Sequence, residues 1–159
     1  MTLLLLTFLL FAPPQDHDKC PMAGHSAVDK RGDQVMGFSH ERTAHHFLLY
    51  KDGGAIQVGA NDATDTESRD QIRQHLGHIA KMFSDGNFEA PMLIHAQTPP
   101  GVPVMKAKRD KIQYAFEENE RGGQVRIRTT DAKALKAIHE FLRFQISDHH
   151  TGDQPKISE

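Results

Sequence analysis

The stretch HHFLLYKDGGAIQVGAND, residues 45–62, decides the fold when it is set beside IQYAFEENERGGQVRIRTTD, residues 112–131. In each, an apolar run passes through charged residues and a Gly-Gly pair (Gly53-Gly54, Gly122-Gly123) into a second run that closes on Asp62 or Asp131. Gly supplies the positive φ angles of tight hairpin turns, so each stretch predicts two antiparallel strands. A helical run follows each one. The literal identity between the two units is slight, yet both read ββα. Period-2 alternation then separates two faces. Ile56 and Val58 share one face, as do Ile112, Tyr114 and Phe116, and Val125 and Ile127. Gln57, Gln113, Gln124, Arg126 and Arg128 occupy the other. The expectation is an α+β fold: a four-stranded antiparallel sheet from two ββα units, two helices packed on one face, the opposite face polar.

The first helix is expected to start near Thr64, where Thr64-Asp65-Thr66-Glu67 spells a capping box. Ile72, Leu76, Ile79 and Phe83 fall within about 60° on a helical wheel and form its core stripe, and Gly86 ends it. Leu135, Ile138, Leu142 and Ile146, with Phe141 alongside, form the stripe of the second helix, which stops at Gly152. Between the units, the link 87–110 carries Pro91, Pro99, Pro100 and Pro103, which forbid a continuous helix or a central strand. A link this long and this apolar is expected to pack down on the core.

Outside the domain (43–152) lie an arm, 13–42, poor in aliphatics and read as irregular, and a tail, 153–159, read as solvated. Residues 1–12 contain the apolar run Leu3 to Phe11, too short for the roughly 20 residues of a membrane span. Its length suits a signal peptide, so the protein is expected to be secreted or periplasmic, with no membrane association beyond that segment.

Composition narrows the function. The 159 residues suit one domain, and 38% hydrophobic with 25% charged residues is a globular mixture. Nineteen basic against twenty-one acidic residues give a net charge of −2, which argues against a nucleic-acid partner. One Cys excludes an internal disulfide. A Gly-rich phosphate loop, a His-Glu-x-x-His and a Gly-x-Ser-x-Gly are all missing from the sequence.

Eleven His and six Met are the chemistry-bearing surplus. Cys20, Met22 and His25 combine thiolate, thioether and imidazole, a set that selects soft metals, copper(I) first. Cys20-Pro21-Met22 resembles the start of the heavy-metal-binding segments of bacterial copper-efflux proteins, although Ala23 and Gly24 precede the His here. His45 and His46 enter a strand side by side, so one must face the core and the other the polar face. His75, His78 and Met82 lie within about 60° on one helical ridge flanking the apolar stripe, and together can hold copper, or zinc with help. His95, with Met92 and Met105, can approach from the link. His139 reads as a core-edge residue. His149 and His150 suit a helix C-terminus without any metal. Noncovalent haem is a further candidate cofactor, since His and Met serve as its axial ligands and no Cys-x-x-Cys-His is present. Arg31-Gly32-Asp33 reads as a turn.

The runs RGDQVMGFSHERTAHHF, DQIRQHLGHIAKMF, PPGVPVM and ALKAIHEFLRFQISDHHTGD resemble a family of exported His-rich bacterial proteins of unestablished function, sharing an MGFSxxxTxHHF motif. Some members carry the label aspartate carbamoyltransferase. That activity implies a Ser-Thr-Arg-Thr-Arg type signature for carbamoyl phosphate, which this chain lacks. The resemblance implies an intact exported domain and carries over no catalytic residue.

The functional expectation is an exported transition-metal binder, copper first, acting as carrier, sensor or buffer. Its metal candidates are His45, His46, His75, His78, Met82 and His95, with Cys20, Met22 and His25 on the arm. Two other classes stand beside it. One is a small metal-dependent oxidoreductase or hydrolase. The other is a metal-free module that binds a ligand or forms a homodimer across the polar sheet face.

Overall fold

A computed structural model describes residues 21–158. Four strands, β1 (Thr43–Tyr50), β2 (Gly53–Ala60), β3 (Ile112–Asn119) and β4 (Gly122–Thr129), form one antiparallel sheet in the order β1-β2-β4-β3. Among the described residues five α-helices accompany it, α1 (Pro21–Met36), α2 (Thr66–Ser84), α3 (Glu89–His95), α4 (Val102–Ala107) and α5 (Ala132–His149), with short 3-10 turns at His40–Arg42 and Arg109–Lys111. The expected α+β architecture with two ββα units is present.

The two hairpins meet at the centre of the sheet, where Ile56 stands opposite Val125. Their registers match position for position. Thr43 pairs with Ala60 at one end of the first hairpin, and Ile112 pairs with Thr129 at the same place in the second. His45 of β1 is therefore the counterpart of Tyr114 in β3, and Phe47 of Phe116. The helices cross over between units. α2, which follows the first hairpin, packs on β3 and β4, while α5, which follows the second, packs on β1 and β2. Each hairpin is thus buried by the other unit's helix, which makes the halves interdependent. Phe83 of α2 stacks on Phe88 at 4.4 Å and meets Tyr114 and Phe141 edge-on, joining both layers.

The Gly-Gly pairs do a different job from the one expected. The turn residues are Lys51-Asp52 and Glu120-Arg121, because Tyr50 already pairs with Gly53 and Asn119 with Gly122. Gly54 sits inside the strand because nothing larger fits. A Cβ there would lie 2.2 Å from Leu142 Cδ1 and 2.4 Å from the Leu48 carbonyl oxygen. The demand is for close approach of α5 rather than for turn geometry. Gly101 combines both needs, with φ at +83° and a Cβ position 2.1 Å from the Ala137 carbonyl oxygen of α5.

Helix α2 starts two residues later than expected. Asp65 is its N-cap and accepts from the Ser68 amide at 3.0 Å, while Thr64 binds back to Asp62. Asp131 caps α5 by accepting from Lys133 and Ala134. His139 is buried in α5 and its Nε2–H donates to the carbonyls of Tyr50 and Gly53, clamping helix to hairpin.

Two segments, the arm and the tail, depart from the sequence reading, while the link packs down as expected. Most of the described part of the arm is a helix, α1, rather than irregular. Arg31-Gly32-Asp33 lies inside it, and Arg31 donates to the Ile94 carbonyl of α3 at 2.6 Å. The link folds down as α3 and α4, with Val102 and Met105 fully buried. The tail is not free in solvent. Asp153 accepts from the Phe47 amide and from His46, Ser158 donates to the Leu49 carbonyl, and Ile157 bridges to Leu49. This covers the outer edge of β1. Residues 1–12 and Cys20 lie outside the described residues. No helix among the described residues is long and apolar enough to cross a membrane.

Candidate functional site

Four histidines from four elements surround one cavity between the sheet and the helices. The cavity measures about 60 Å3. The period-2 register of β1 turns His45 to the helix side with Phe47 and Leu49, and turns His46 outward. His75 lies beside Leu76 on the flank of the α2 stripe. His95 is the last residue of α3. His149 is the last residue of α5, two turns beyond Leu142 and on the same stripe. Apolar side chains, among them Ile56, Leu76, Ile79, Ile94 and Phe141, supply most of the remaining wall. Met36, at the C-terminal end of α1, completes it.

The rings are close. The centroids of His45 and His149 stand 6.1 Å apart with planes 5° from parallel, and His95 meets His149 nearly perpendicularly at 5.0 Å. Phe38 lies against both His45 (6.1 Å) and His75 (5.6 Å). Removal from water disfavours the charged form of each ring. Burial pushes His45 down to about 4, with His75 the next cause. Burial pushes His75 to about 4, helped by His78, and His149 to about 3, helped by His95 and His45. All three are neutral at pH 7, each with a free nitrogen lone pair.

His95 is different because its side chain is fully buried and both nitrogens are engaged. Nδ1 lies 2.5 Å from Asp148 Oδ2, and Nε2 lies 2.9 Å from Gln145 Oε1. Gln145 is 4% exposed, and its Nε2 has no hydrogen-bond partner.

A second, outer groove of about 270 Å3 adjoins the cavity. Met36, His45 and His149 line both spaces, and Asp29, His40 and Thr151 line the groove. At its rim Asp33 accepts from the ring of His40, and that neighbour holds the His40 pKa above its usual value.

The structure therefore brings His45, His75 and His95 together and separates the other candidates. His46 bonds to Asp153 on the outer side. The ridge of His75, His78 and Met82 straddles the border of core and solvent. His75 turns in, His78 is exposed, and Met82 packs partly buried against the core. Met22 and His25 fall in the first part of α1, residues 21–26, of whose side chains nothing is described. Among the described residues, no three His, Cys, Asp or Glu side chains already stand as a formed metal site. Sequence reasoning missed His149, Gln145, Asp148 and Met36. His149 had a signal, since it continues the Leu135–Leu142 stripe at seven-residue spacing. The others are visible only once α1 and α3 are placed.

No family model, no curated protein and no solved structure matches this chain.

Proposed function

We propose that the protein binds a soft or borderline transition-metal ion in this cavity, copper(I) first, and acts as a carrier, sensor or buffer. One observation carries the reading: several uncharged imidazoles from separate elements converge on one small, mostly apolar space beside a thioether. Imidazole and thioether donors suit copper(I), and zinc takes the imidazoles alone. Two imidazoles on one ion, each bonded at about 2.0 Å, hold their ring centres about 5–6 Å apart. The 6.1 Å between His45 and His149 lies at the upper end of that range. A space of about 60 Å3 has room for an ion or one or two water-sized groups, and not for a porphyrin. His45 and His149 are the primary ligands in this reading, with Met36, His75 and His95 at the periphery. Cys20, Met22 and His25 remain the arm-borne set.

The test is titration with copper(I) against a competing chelator, using the full chain without a His-tag. The expected outcome is near-stoichiometric binding that is lost in the His45→Leu/His149→Leu variant. Retention in that variant, with loss on replacing Cys20, Met22 and His25, moves the site to the arm.

A specific observation favours a second reading, a metal-free ligand-binding module. A groove of about 480 Å3 opens on the polar sheet face beside His46, Gln57, Asn61, Asn119 and Arg121. Failure of the chain to take up copper or zinc directs the search there.

A further inference from the structure

Gln145 has an arrangement that its neighbours do not require. Its amide oxygen faces His95 Nε2, and its amide nitrogen has no partner. With Asp148 accepting at Nδ1 and an amide oxygen accepting at Nε2, His95 would need a proton on both nitrogens. A half-turn of the amide exchanges its oxygen and nitrogen without moving another atom. The nitrogen then donates to Nε2, the ring is neutral with its proton on Nδ1, and the amide oxygen becomes the atom without a partner. In either setting one polar atom of a side chain that is 4% exposed stays unsatisfied, which costs stability. A leucine at this position would avoid that cost, and buried polar groups are normally paired. One turn of α5 supplies the whole set: Gln145, the orienting carboxylate Asp148, and His149, whose ring meets His95 at 5.0 Å.

We propose that Gln145 is a latch on His95. In the empty protein its amide N–H holds the lone pair of Nε2, and its displacement releases Nε2 as a further ligand for the ion in the cavity. Asp148 is the positioning residue. By accepting a hydrogen bond from Nδ1–H it fixes the tautomer that leaves the Nε2 lone pair inward, the role of a carboxylate behind a metal-bound histidine. The latch rests on the metal-binding reading for its function, but the tautomer of His95 in the empty protein does not.

Nitrogen-15 NMR of the histidine rings tests it on the wild-type chain. The metal-free protein at pH 7.5 is expected to show His95 neutral, protonated at Nδ1 only. Adding silver(I), a redox-inert stand-in for copper(I), is expected to move the His95 Nε2 resonance along with those of His45 and His149. A His95 ring protonated on both nitrogens, or a His95 Nε2 signal indifferent to bound silver, overturns the latch. Affinity gives a second reading. Gln145→Leu is expected to bind copper(I) about 2- to 10-fold more tightly, since no amide competes for Nε2. Asp148→Asn is expected to bind about 10- to 100-fold more weakly. Unchanged or weaker binding by Gln145→Leu also overturns it. A wild-type chain that takes up neither ion sinks the metal reading itself. Uptake with His95 uninvolved sinks only the latch.

Discussion

The two halves of the interlayer space share one backbone plan and are filled in opposite ways. At one position of the outer strand the second unit places Tyr114 and the first unit places His45. Around Tyr114 and Phe116 the space closes with aromatic rings, Phe83, Phe88 and Phe141, packed 4.4 to 6.3 Å apart. Around His45 it holds His75, His95 and His149 and stays partly open. Apolar packing explains the first half, apart from the Tyr114 hydroxyl, which is buried without a hydrogen-bond partner. The second half breaks that packing with groups that gain nothing from burial unless something comes to meet them. Among the described residues, the buried polar side-chain atom without a partner in this half is Gln145 Nε2. The aromatic half holds the fold together, and the imidazole half is where the proposed function would lie.

Acid should expose that contrast most strongly. His45, His75 and His149 sit near 4, 4 and 3 in the folded chain and near 6.5 once unfolded. The unfolded chain therefore binds more protons between these limits, and stability falls as pH drops. It is complete above pH 6.5 and declines through about pH 4. At pH 5 the loss reaches at most roughly 2 kcal/mol per histidine. Urea unfolding midpoints measured from pH 7.5 to 5 should hold to about pH 6.5 and then fall, and a flat profile would mean that the rings are hydrated after all.

In the aromatic half the largest effect should come from Phe88→Ala. Phe88 is fully buried, stacks on Phe83 and does not line the cavity. Its truncation should cost about 3–5 kcal/mol, seen as a lower urea midpoint at pH 7.5. Copper(I) affinity of the folded fraction should stay unchanged. Loss of affinity at equal stability would join the two halves that the comparison separates.

The reverse pattern is expected for His45→Leu/His149→Leu. Leucine gives up no hydrogen bond at either site and needs no protection from protons. Stability at pH 7.5 should stay within about 1–2 kcal/mol of wild type, as for core changes of similar volume. Most of the acid slope between pH 6.5 and 4 should vanish, together with metal uptake. A variant that unfolds at neutral pH would show that the imidazoles support the fold.

How far the sequence announced this division depends on the range of the signal. Period 2 and period 3.6 are local, so the strands, their faces and the stripes of α2 and α5 could be read directly. The opposite facing of His45 and His46 could be read too. Crossing of the helices between units could not, because nothing in a ββα stretch says which hairpin its helix will cover. Without that crossing His149 has no reason to meet His45. His95 needed the same information, since its partners Gln145 and Asp148 lie about fifty residues away on α5. The Gly-Gly pairs were conspicuous but were given the turn's role, because spacing cannot distinguish a turn glycine from one pressed against Leu142.

The smallest effect concerns the rim, where a histidine meets charge rather than apolar wall. His40 Nδ1 lies 3.0 Å from both oxygens of Asp33, and Asp29 stands 3.9 Å from its Nε2. The hydrogen bond to Asp33 raises the His40 pKa, opposite in direction to the cavity rings. The linkage therefore changes sign. This pair's contribution is complete below the unfolded value of 6.5 and is lost as pH rises through the higher folded value. Both side chains are more than a third exposed, so solvent and salt leave only a few tenths of a kcal/mol. Asp33→Asn should bring the His40 titration midpoint, followed by ring-proton NMR, down toward 6.5 and hardly move the urea midpoint. The acid slope of the cavity rings should survive the change. If it weakens instead, the rim and the cavity titrate as one unit, and Met36, which walls both spaces, is the side chain through which they communicate.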